Sequence, residues 1–89
     1  MPKKTIVGEY EGHRFIVENT WLSGAKLFHD DKLIAVYNDD FALGKNEPKM
    51  TAKVLINRFE RVVEVYFSAI FTVKIQIRVD GKKIAGDDF

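Results

Sequence analysis

Apolar and polar residues alternate along most of this chain. The clearest run is VKIQIRVD, where Val73, Ile75, Ile77 and Val79 alternate with Lys74, Gln76, Arg78 and Asp80. Successive side chains of an extended strand point to opposite faces, so one face here is apolar and the other wet. AKVLINR places Ala52, Val54 and Ile56 on one face, and RVVEVYF does the same with Val63, Val65 and Phe67. HRFIVE puts Phe15 and Val17 opposite Ile16. No window sustains a capped helical stripe at i, i+3, i+4, i+7. The pattern predicts strands near residues 4–10, 13–18, 25–30, 33–38, 51–58, 62–68, 72–79 and 82–86. Turn-forming residues separate them at Glu11-Gly12, Asp30-Asp31, Asn38-Asp39-Asp40, Lys45-Asn46-Glu47-Pro48 and Asp80-Gly81. Short strands punctuated this regularly predict an all-β fold, an antiparallel β-sandwich of about eight strands or a small barrel.

Two stretches nearly repeat each other: HDDKLIAVYNDDF from His29 and VDGKKIAGDDF from Val79. Shifting the chain by 50 residues puts Phe15 on Val65, Val17 on Phe67, Trp21 on Phe71, Leu27 on Ile77, Asp30 on Asp80 and Ala35 on Ala85. Each half then reads as strand, aromatic-bearing loop, strand, Asp turn, strand. Two such β-units can cover each other's apolar faces, which neither could bury alone. Alternating sequences resemble one another by chance, but the shared Asp turn and Ala position favour duplication. Asp80-Gly81 is a strong two-residue hairpin signal, because a type I′ turn needs positive φ at both central residues. Asp30-Asp31 stands in the matching place.

Composition narrows the picture. The 89 residues suffice for one domain, spanning 1–89. Hydrophobic residues make up 46% and charged residues 30%, a globular balance. A formal net charge of +1 argues against a dedicated nucleic-acid binder. Cysteine is absent, which favours a reducing compartment. Met1-Pro2-Lys3-Lys4 leads into no apolar segment of the signal-peptide kind, so the sequence points to a cytoplasmic protein. The longest apolar run, Val62 to Val79, is broken by Glu64, Lys74, Gln76 and Arg78 and cannot span a membrane as a helix.

The stretch from Phe41 to Ile84 carries a further pattern. Phe41-Ala42-Leu43-Gly44 precedes the alternating strand Thr51–Arg58. A second strand rich in β-branched and aromatic residues follows at Val62–Phe67, then a strand closing on Asp80-Gly81-Lys82. This order resembles the β-sandwich domain of the Fas apoptotic inhibitory molecule family, and is also similar to small bacterial β-proteins. KLFHDDKLI resembles the same family's strand ending in an Asp-Gly-Lys turn, with Asp31 in place of Gly. The resemblance covers about two-thirds of the chain and implies an antiparallel sandwich that acts by binding, without catalytic residues.

The chemistry-bearing residues support that class. There is no Cys nucleophile, Ser23 and Ser68 lack a nucleophile elbow, and Gly8, Gly12, Gly24 and Gly44 form no phosphate loop. The carboxylate pairs Asp30/Asp31, Asp39/Asp40 and Asp87/Asp88 sit at predicted turns, where Asp bonds nearby amides. The sequence therefore predicts no enzyme and no cofactor. The two histidines form a sharper feature. A hairpin pairing Phe15 with Leu27 would face His13 directly towards His29, close enough for two metal ligands with Asp30 or Glu11 as a third. Because a structural zinc site wants four ligands, a wet-edged pair without metal is the expectation.

The loops NTWLSG and SAIFTV are unusually apolar. Trp21, Leu22, Ile70 and Phe71 either cap the core, the commoner fate of aromatics in a small domain, or form an exposed patch. A bulge near Ser68 would also account for the second loop. The exposed reading makes these four the candidate binding residues, for a protein partner or for homodimerisation. The alternative is nucleic-acid or anionic-ligand binding through an outward face of Lys3, Lys4, Lys49, Lys53, Lys74, Arg78, Lys82 and Lys83. The acidic residues that balance this face make nucleic acid the weaker expectation.

Overall fold

Eight strands form, close to where the alternation places them. In chain order they are β1 (Lys3–Tyr10), β2 (His13–Thr20), β3 (Gly24–His29), β4 (Lys32–Tyr37), β5 (Met50–Ile56), β6 (Phe59–Ala69), β7 (Val73–Val79) and β8 (Lys82–Gly86). The structure is a computed structural model that describes residues 3–20, 24–37, 48–69 and 73–87. The strands build two antiparallel sheets, ordered β1-β2-β3-β4 and β5-β6-β7-β8. Among the described residues there is no helix, and the architecture is a small sandwich.

Each sheet gives its apolar face to the other. Phe15, Val17 and Leu27 from the first meet Ile56, Val63, Val65, Phe67, Ile75 and Ile77 from the second in one buried cluster. These are the residues that period-two alternation assigns to the inward faces. The sheets close along one side at β1 and β8. There a Cβ on Gly8 would lie 2.7 Å from the Ala85 Cβ, so only glycine fits. Lys4 reaches Asp87 across the same seam at 2.8 Å.

Among the described residues, four hairpins turn on two residues with positive φ. The φ values are 48° and 84° at Glu11-Gly12, 49° and 70° at Asp30-Asp31, 51° and 75° at Asn57-Arg58, and 50° and 82° at Asp80-Gly81. That is the type I′ signature, whose twist matches the strands. Asp31 thus holds a left-handed conformation that glycine adopts more cheaply. Asp31→Gly is expected to stabilise the chain by about 0.5–1 kcal/mol, read from the midpoint of urea unfolding. The turn at Asn57-Arg58 differs from the sequence expectation, which ends one strand at 58 and begins the next at 62. It holds neither Gly nor Pro, so composition hides it.

The two units do repeat, but not at one constant spacing. Bulges interrupt pairing between Leu27 and Phe28 in the first sheet and between Ile77 and Arg78 in the second, at the same 50-residue spacing. In β2 and β6 the spacing is 48, because Phe15 pairs with His29 whereas Val63 pairs with Val79. Phe15 therefore corresponds to Val63 and Val17 to Val65, not to Val65 and Phe67. Five residues separate Ser68 from its partner Lys74, against three between Thr20 and Gly24. A slip of two leaves every side chain on its own face, so the faces follow from sequence while the register does not. β6 also runs unbroken through Ser68. The alternative of a bulge near Ser68 is not met, and the register shift of the second sheet lies between Ile77 and Arg78.

Candidate metal centre

His13 opens β2 and His29 closes β3, so both sit at the end of the first sheet that carries the Asp30-Asp31 turn. The observed register sets His13 diagonally to His29 rather than directly across from it. The side chains meet nonetheless, with His13 Nδ1 2.9 Å from His29 Nε2 and the ring planes at 25°. One nitrogen must carry the proton and the other must be bare for that contact to be a hydrogen bond. Phe15 stacks against His29, with ring centroids 4.9 Å apart and planes at 10°. It holds the imidazole from beneath.

Asp30 completes the group. Its Oδ1 accepts the Arg14 N–H at 2.8 Å, and its own N–H donates to the Arg14 carbonyl at 2.9 Å. This double link fixes the carboxylate and leaves Oδ2 facing the histidines, 3.1 Å from His13 Nδ1 and 3.6 Å from His29 Nε2. The Arg14 amide, with the nearby histidines adding to it, holds the Asp30 carboxyl below the usual aspartate range. The side chains of His13 and His29 are 24% and 17% exposed, and that of Asp30 is 50% exposed. A polar cleft lined by Glu9, Gly12, Arg14 and Asp31 opens beside Asp30. Glu11, the other candidate third ligand, faces Arg61 instead, 4.0 Å away.

The second unit shows what this corner looks like without histidine. Asp80 Oδ1 accepts the Val62 N–H at 2.9 Å, and the Asp80 N–H donates to the Val62 carbonyl at 2.8 Å. The Asp80 carboxylate is thus anchored as Asp30 is. Its Oδ2, however, accepts from the Arg61 guanidinium at 2.9 Å. By the register, Arg61 corresponds to His13 and Val79 to His29. The Val62 amide first, and Arg61 second, lower the pKa of Asp80, while Lys4 and the Ile75 amide lower that of Asp87. Carboxyls depressed in the fold add stability that is complete above the ordinary value of 3.8. That stability is lost as pH falls through the lowered folded values.

No family model, curated protein or solved structure matches this chain. Trp21, Leu22, Ile70 and Phe71 lie outside the described residues, as do Asp39, Asp40 and Asp88. The basic residues do not all share one face. Lys4 reaches Asp87 at the seam. Lys53 and Lys74 are exposed on the second sheet, where Arg78 lies 4.1 Å from the centroid of the Tyr66 ring. Among the described residues no helix is long and apolar enough to cross a membrane.

One surface escaped the sequence reading altogether. Val7 pairs with Ile16, Ile16 with Phe28, and Phe28 with Leu33, which makes an apolar row across all four strands of the first sheet. The row lies on the outer face, opposite Phe15 and Val17. Its signal in the sequence is an apolar residue at a wet position in each of four strands, but the registers are needed to align them.

Proposed function

We propose that this chain is a non-catalytic binding and assembly module that pairs with a second copy of itself through the outer face of its first sheet. The apolar row carries this reading. Val7 is 54% exposed and Leu33 47%, with Ile16 and Phe28 half-buried between them. Val36, on the same outer face of β4, is 46% exposed. The corresponding row of the second sheet is Thr51, Glu64, Arg78 and Lys83, paired in the same way and polar throughout. The fold therefore does not require apolar residues at these places. A row that spans a sheet is also self-complementary about a twofold axis, so one copy offers the surface the other needs. Two sheets packed through such faces form an ordinary aligned stack. The formal net charge of +1 sets little repulsion between copies.

The resemblance to the Fas apoptotic inhibitory molecule sandwich supports binding without catalysis, and the absence of cysteine supports a cytoplasmic setting. The test exchanges the row for its polar counterpart. Ile16→Glu with Phe28→Arg recreates the Glu64 and Arg78 pairing, which the scaffold already tolerates. Light scattering across a concentration series should show a dimer for the parent chain. For the double variant the dissociation constant should rise at least about tenfold, or 1.4 kcal/mol. A parent chain that stays monomeric, or a variant that dimerises equally well, removes the reading.

A further inference from the structure

We propose that His13, His29 and Asp30 form a binding site for a divalent transition-metal ion of the zinc class. The inference is independent of self-association, since His13 and His29 share the inner face of β2 and β3 with Phe15, opposite the apolar row.

Three donor atoms already converge. His13 Nδ1, His29 Nε2 and Asp30 Oδ2 stand 2.9, 3.1 and 3.6 Å from one another. An ion bound at about 2.0–2.2 Å by imidazole and carboxylate keeps neighbouring donors roughly 2.9–3.5 Å apart. The three atoms therefore need shifts of only tenths of an ångström and a turn of the rings to share one ion. Metal binding would replace the direct contact between the two imidazoles with a shared ion. Two imidazoles and one carboxylate suit zinc, cobalt and nickel better than magnesium or calcium, which prefer oxygen.

The surroundings are those of a supported ligand set. The Arg14 amide fixes one oxygen of Asp30 and frees the other for the ion. Phe15 backs the His29 ring. Such outer contacts orient ligands and raise affinity. The half-exposed carboxylate leaves one side of the site open to water, which would fill the remaining coordination positions.

The second unit adds an independent argument. There the same anchored carboxylate faces a permanent cation, the Arg61 guanidinium. The first unit keeps the carboxylate but places two neutral-capable ligands before it. A bound cation restores the positive charge that this scaffold otherwise builds in covalently.

The test converts one corner into the other. Untagged protein is melted at neutral pH with Zn²⁺ or with Mg²⁺, alongside the variant His13→Arg with His29→Val. The parent chain is expected to melt several degrees higher with Zn²⁺ and unchanged with Mg²⁺. The variant should fold, because Arg61 and Val79 fill these places in the second unit, and should lose the zinc response. Co²⁺ should give a visible absorption band with the parent chain alone. No shift in the parent chain at millimolar Zn²⁺ overturns the proposal, as does an equal shift in the variant. If the double substitution prevents folding, Asp30→Asn keeps an acceptor for Arg14 and removes the anionic ligand. A tenfold or greater loss of zinc affinity is then expected, and unchanged affinity overturns the site.

Discussion

Gly86→Ala should lose about 3 kcal/mol or more, the largest effect expected for a methyl group added at Gly8, Gly12, Gly81 or Gly86. Gly86 has φ of 101°, a conformation that L side chains avoid. A Cβ there would also sit 2.1 Å from the Ile75 carbonyl oxygen and 3.0 Å from the Gln76 Cα. Both obstacles are backbone of the neighbouring strand, so no rotamer change relieves them. The end of β8 must then lift from β7. Asp87 follows it, and with Asp87 go its bonds to the Ile75 amide, the Gln76 side chain and Lys4. Urea unfolding gives the loss directly. Gly12→Ala is the control, because its Cβ meets nothing within 4 Å. It should show only the left-handed penalty of about 1 kcal/mol.

Phe15→Ala is expected to remove about 3–5 kcal/mol, the usual cost of emptying an aromatic site in a core. Phe15 is wholly buried. Chains of this length hold roughly 5–13 kcal/mol in total, so the loss is a large share of the stability available. The same substitution takes away the ring that supports His29. Phe15→Leu separates the two roles. It refills most of the volume and should recover most of the stability. It offers no flat surface to the imidazole, so the His29 ring resonances in NMR spectra should still shift. Recovery of stability without any change at His29 would show that the ring contact is incidental.

Most of the fold is legible in the alternation of the chain. Val73 through Asp80 could be assigned a face residue by residue, because burial against one partner sheet leaves a period of two. The Asp-Gly turn was equally plain, since few pairs tolerate two left-handed residues. The register was not legible. Pairing Phe15 with Leu27 or with His29 presents the same faces, and nothing local distinguishes the two. The contact between His13 and His29 was expected from the first pairing and occurs in the second, because long side chains also meet diagonally. Asp30 could be named as a third ligand from its place at the turn. Its lock on the Arg14 amide could not, since that bond depends on where β2 ends against the turn. The apolar row stayed hidden for the same reason. Val7, Ile16, Phe28 and Leu33 are far apart in sequence and become one surface only when three registers are known.

The close approach of Gly8 to Ala85 also bears on how this protein avoids misassembly. Every open four-stranded sheet has two edges, each with backbone groups that can template another strand. β1 and β8 are edge strands, and they are turned towards each other with Lys4 bridging to Asp87. An incoming strand would have to part them first. Larger side chains at position 8 would wedge this seam open and expose both edges at once. The missing side chain of one glycine thus guards against aggregation as well as fitting two sheets together.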